Sequence, residues 1–190
     1  MSFEVITAVA AVGTFLVIAA TAVAAFVQLR HLSGSNSISA LTESREILES
    51  AEFAAAQRFV AYTLPELLKD PAVREQLKES PTPEELRPMI QVGNFFESLG
   101  GFIRHGIVDR EIAVSLWSSV VVRNWECLAP ALAIMRRTSG PLLWEQFEYL
   151  ARISQDWNDA HKQGDYPTGV AHMPVPDVWL DADRDAQPGR

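Results

Sequence analysis

The stretch from Val5 to His31, VITAVAAVGTFLVIAATAVAAFVQLRH, carries no charged side chain before Arg30. About 20 apolar residues rising about 1.5 Å each are enough to cross the hydrocarbon of a bilayer, and core helices that are apolar on every face are usually shorter. A secretory signal peptide is the main rival, with ATAVAA as its cleavage site. That reading needs a basic n-region and an apolar stretch of only about 7 to 15 residues. Here the one charged side chain ahead of the run is Glu4, and the run is much longer. The run therefore reads as a retained single transmembrane helix, an anchor over residues 1–32.

Orientation follows from flanking basic residues, which stay on the cytoplasmic side. Arg30 and Arg45 follow the run and no Lys or Arg precedes it. The expected location is the inner (cytoplasmic) membrane of a bacterium, single-pass, with the N-terminus outside and the body in the cytoplasm. Cys127 is the only cysteine, so the chain can form no internal disulfide and asks for no oxidising compartment.

The run also carries a pattern. Thr7, Thr14, Thr21 and Gln28 repeat at seven residues, and Ala10, Val17, Ala24 and His31 follow three positions on. Together they make one stripe down a helix, with Val5, Val9, Val12, Leu16, Val23 and Phe26 opposite. Small and hydroxyl-bearing residues on one side suit a helix packing seam, which would make the chain a parallel homo-oligomer or give it a membrane protein partner. The plainer reading is that each threonine bonds back to its own helix.

Beyond the run, SGSNS at residues 33–37 reads as a flexible joint. Residues 38–163 then show helical periodicity and no convincing strand, which predicts a compact helical bundle. Ser50, Thr63, Asp70, Thr82 and Asp109 each precede a helical pattern as a candidate N-cap, several with proline just behind. Gly106 and Gly140 close the helices before them, Pro141 is placed to open the last one, and Pro130 is expected to kink or divide the helix it interrupts. Residues 164–190 are rich in proline and acid and predict a mostly disordered tail, with VPDVWL as a docking segment. The fold class is thus all-α, with an anchor, a cytosolic bundle and a flexible tail.

The motifs PELLKDP, NFFESLGGFIRHGIVD, LWSSVVVRNWECLAPAL and GPLLWEQFEYLA, in that order, resemble a family of small bacterial proteins known as Domain of Unknown Function 4760. The resemblance runs from the end of the apolar run to Leu150. It implies a membrane-tethered, all-helical cytoplasmic domain and supplies no catalytic residue. The chain departs from its relatives in the joint, where they are richer in Arg and Gln.

Chemistry-bearing motifs are scarce. There is no phosphate-binding Walker loop, no dinucleotide fingerprint and no His-Glu-x-x-His. A single cysteine excludes a Cys-cluster metal site, and His31, His105, His161 and His172 are widely separated. No cofactor is expected. A net charge of −8 argues against broad binding to nucleic acid. What remains is a polar cluster: Asn94, Glu97, Gly101 and Arg104 share one helix face, and Arg123 and Glu126 share another. The pattern lacks the Glu-x-x-His pairs of a di-iron bundle. Solvated or mutually paired groups that orient the helices are its simplest reading, and a polar pocket for a ligand is the alternative. Gly100 and Gly101, inside a helix, predict a close crossing by another helix. The large aromatics from Phe95 to Trp157 read as core.

The functional expectation is a non-catalytic domain tethered to the lipid bilayer and used for self-association or for binding another protein. The alternative is a ligand-sensing module or hydrolase with a pocket around Glu97 and Glu126. A component of a stress or phage-defence system is a third possibility.

Overall fold

The computed structural model describes the backbone of residues 3–79 and 81–186 and the side chains of residues 13–15, 17–25, 37–79 and 81–184. All regular structure among them is helical. Helix α1 (Phe3–Glu49) is followed by α2 (Ala51–Arg58), which passes through a π turn, Phe59–Thr63, into α3 (Leu64–Leu67). The short α4 (Pro71–Gln76) and a 3₁₀ turn, Glu84–Leu86, lead to α5 (Arg87–Arg104), α6 (Arg110–Ser139) and α7 (Glu145–Ala160). After an extended stretch, α8 (Leu180–Ala186) ends the described chain.

Local chemistry sets several boundaries. The Ser50 hydroxyl accepts from Phe53 N at 3.1 Å, the Asp70 carboxylate from Ala72 N at 2.8 Å, and the Asp109 carboxylate from Ile112 N at 2.9 Å. Each satisfies one of the four amides that a helix start leaves unpaired. Gly106 (φ 70°) closes the helix end behind α5, and Gly140 (φ 86°) does so behind α6. Thr63 and Thr82 do not cap. Thr63 is already helical within the π turn, and Pro83 rather than Thr82 leads the 3₁₀ turn.

The core is the three-helix layer of α5, α6 and α7, with α2 laid across α5. Along α5 the buried residues Met89, Val92, Phe96, Leu99 and Ile103 step by three and four, one continuous stripe. Burying each contributes about 1.5–3 kcal/mol. Phe96 stacks on Phe147 of α7 at 5.0 Å, Trp125 of α6 meets Phe147 edge-on at 5.1 Å, and Phe53 of α2 meets Phe95 edge-on at 4.8 Å. Of the aromatics expected in the core, Phe96, Trp144 and Phe147 are buried, Phe95, Trp117, Trp125, Tyr149 and Trp157 pack against it half-buried, and Phe102 is 40% exposed.

Four expectations are corrected. First, among the described residues no helix is long and apolar enough to cross a membrane, which overturns the transmembrane anchor and the single-pass inner-membrane location. Second, the backbone does not break at the joint, because α1 is helical through residues 33–37 to Glu49. Third, α6 is not divided at Pro130. Leu128, Ala131 and Leu132 are buried around the proline, so packing holds both halves together despite the missing donor. Fourth, α7 opens at Glu145 rather than at Pro141.

Candidate functional site

The α5 half of the polar cluster lies against the start of α7. Trp144 stands at the N-cap of α7 in the left-handed region, φ 54°, and offers no side-chain cap. A bulky residue pays about 1–2 kcal/mol for that conformation. Its indole is 3% exposed and lies over Gly93, where an added Cβ would overlap the ring. The indole Nε1 donates to Asn94 Oδ1 at 3.0 Å. One turn on, Glu97 Oε2 accepts from the backbone N of Phe147 at 2.8 Å, giving α7 the cap that Trp144 does not. A Cβ on Gly100 would overlap the Gln146 carbonyl, whereas Gly101 faces open space. At the far end Arg104 donates to Gln146 Oε1 at 3.1 Å and lies 3.8 Å from Glu145. The turn ahead of α7 is clamped from its other side by Arg136, which donates to Leu143 O at 2.8 and 3.0 Å and pairs with Glu148 at 2.7 Å.

Asn94, Glu97 and Arg104 therefore form one docking strip, and each side chain is occupied in holding α7. Arg123 and Glu126 do not join it. Glu126 lines a cleft between α6 and α7 with Trp125, Glu148 and Arg152. Arg123 lines a different cleft, about 310 Å³, formed with the end of α2 and the π turn. Arg58, Gln57, Tyr62, Asn124 and Cys127 are among its other walls. Burial pushes the Cys127 thiol above its ordinary range, partly opposed by the Arg123 charge, while Glu126 pushes in the same direction as burial.

Sequence reasoning missed Gly93, Trp144, Arg58, Gln57 and Tyr62. Gly93 and Gly100, one heptad apart on a helix otherwise packed with large apolar residues, were a readable sign of close approach. Nothing in the sequence announced that Arg58 and Arg123 would share a cleft, because only the crossing of α2 over the core brings them together. Among the described residues, no three His, Cys, Asp or Glu side chains converge in an arrangement able to hold a metal ion.

Along the expected seam, Thr14, Val17, Thr21 and Ala24 are exposed, and the Thr21 hydroxyl donates to Val17 O at 2.8 Å within its own helix. The side chains of Thr7 and Ala10 lie outside the described residues, as do those of Gln28 and His31. In the tail, Val175, Val178 and Trp179 are exposed and VPDVWL does not pack on the body.

Comparison with known families is decisive on one point. A family model described as "Domain of unknown function (DUF4760)" matches residues 15–157. The chain belongs to the DUF4760 family. The match takes in α2 to α6 entirely and most of α7, so the docking strip and both clefts lie inside the DUF4760 region. No curated protein and no solved structure matches the chain.

Proposed function

We propose that this DUF4760 protein is a non-catalytic interaction module that self-associates through α1, with the α2–α7 bundle as the body so assembled. The carrying observation is the exposure of Phe15, Val17, Ile18 and Val23, each between 62% and 70% accessible, on a helix that, among the described side chains, packs on the body from Ala40 onward. Contiguous apolar surface of this kind marks an interaction site in most proteins. A second copy supplies the simplest complement, since the seven-residue spacing of Thr14 with Thr21 and of Val17 with Ala24 lets two α1 helices lie side by side in register.

The occupation of Asn94, Glu97 and Arg104 in helix docking leaves a polar pocket shared by Glu97 and Glu126 without support. Analytical ultracentrifugation of the full chain tests the self-association reading. The expected result is a defined oligomer that Val17→Glu with Thr21→Glu converts to monomer, with the helical content of the body unchanged. A monomeric wild-type chain, or an oligomer indifferent to both substitutions, refutes it.

A further inference from the structure

The cleft of about 310 Å³ between the π turn and α6 is lined by Arg58 on one wall and Arg123 on the other. The protein carries a net charge of −8, yet no acidic residue lines this cleft. Neither guanidinium has a hydrogen bond or an ion pair among the described residues. Three other arginines of the domain are committed: Arg74 to the Leu68 and Lys69 carbonyls, Arg104 to Gln146, Arg136 to Leu143 and Glu148. Two uncompensated cations facing one hollow in an acidic protein repel each other and attract an anion from solution.

The neutral groups around them suit the same guest. Gln57 and the Tyr62 phenol line the cleft as donors, and the Nδ2 of the buried Asn124 in its wall donates to Val120 O at 2.8 Å. Tyr62 belongs to the π turn, a widened turn of the kind that recurs at ligand sites.

We propose that this cleft binds a small oxyanion, a phosphate monoester or a carboxylate, between Arg58 and Arg123. The planar guanidinium matches both groups with two parallel N–H donors. The volume is at the low end of small-molecule sites, which favours a metabolite-sized guest. The overall negative charge works against a polyanion such as nucleic acid.

Cys127, the only cysteine, lines the same cleft and reports on its occupancy. The experiment follows alkylation of Cys127 by iodoacetamide in the full chain at pH 8 and constant ionic strength, the thiolate displacing iodide. Inorganic phosphate and phenyl phosphate are titrated in one arm, acetate and benzoate in the other, so that the arms separate phosphate from carboxylate. The expected result is saturable slowing of alkylation in at least one arm. Arg58→Gln and Arg123→Gln should each weaken the protection about fivefold, a plausible size for one exposed charge contact. Arg110→Gln, on a surface away from the cleft, should leave it unchanged. Absence of saturable protection by all four probes overturns the proposal, and so does protection that survives the Arg58→Gln, Arg123→Gln double substitution. The wild-type titration decides alone should a variant fail to fold.

Discussion

Glu97 offers the sharpest test of how the bundle is held together. Its carboxylate meets the Phe147 amide at 2.8 Å, and Phe147 is fully buried between Phe96 and Trp125. Glu97→Ala removes a hydrogen bond to a charged acceptor, about 1.5–3 kcal/mol, and leaves a shielded amide without a partner. It also removes a negative charge from the N-terminal end of α7, about 0.3–1 kcal/mol. Because Trp144 provides no side-chain cap, nothing local substitutes for the loss. The expected cost is about 2–3 kcal/mol, a fall in Tm of about 6–9 °C for a domain of this size. Glu97→Gln keeps an acceptor oxygen and gives up the charge, so it should cost about 1 kcal/mol. Urea denaturation followed by far-ultraviolet circular dichroism measures both, with the midpoint moving and the slope constant. If Glu97→Ala unfolds within 0.5 kcal/mol of wild type, the carboxylate is not the cap of α7 and the reasoning is wrong.

Three other outcomes follow from the same geometry. Gly100→Ala should destabilise by about 2 kcal/mol or more, since the new Cβ meets the Gln146 backbone carbonyl, while Gly101→Ala, which meets nothing, should stabilise by up to about 1 kcal/mol in the same melting assay. Ser154 is fully buried in α7 and its hydroxyl has no partner among the described residues, so Ser154→Ala should raise stability by about 1 kcal/mol in urea. At Cys127, Arg123→Gln should slow alkylation and Glu126→Gln should speed it, because the first substitution raises the thiol pKa further and the second lowers it. The folded-state value is raised, so this thiol's contribution to stability is present below the pKa of a free thiol, about 8.5, and is lost as pH rises through the folded value. A pH series of denaturation midpoints on wild type and Cys127→Ser checks that sign.

Much of the bundle was legible because its signals are local. Ser50, Asp70 and Asp109 cap their own helices, and the α5 stripe from Met89 to Ile103 announces a buried face by spacing alone. The start of α7 was not legible, because its cap comes from Glu97 in another helix and its geometry from an indole seated on Gly93. The polar residues Asn94, Glu97 and Arg104 were found by their periodicity, and the orienting role weighed for them is the one their hydrogen bonds perform. Grouping them with Arg123 and Glu126 was the error, since helix phase says which residues share a face and nothing about which faces meet. The apolar run misled for a related reason. Composition argued for a bilayer and SGSNS for a break, whereas α1 continues through that segment into the charged residues Glu43, Arg45, Glu46 and Glu49.

The first rod of the bundle keeps one buried stripe across the π turn. Phe53, Ala56, Val60 and Leu64 are all buried, at steps of three, four and four residues. At 3.6 residues per turn a step of three falls short by about 60° and each step of four overshoots by about 40°, so the steps offset one another and leave Leu64 about 20° from Phe53. Phase along this segment is therefore set by residue count more than by residue identity. Conservative replacements within Phe59–Thr63 should be absorbed, whereas deleting a single residue there would rotate everything beyond it, unseating Leu64 and turning the following α3 out of register with the body.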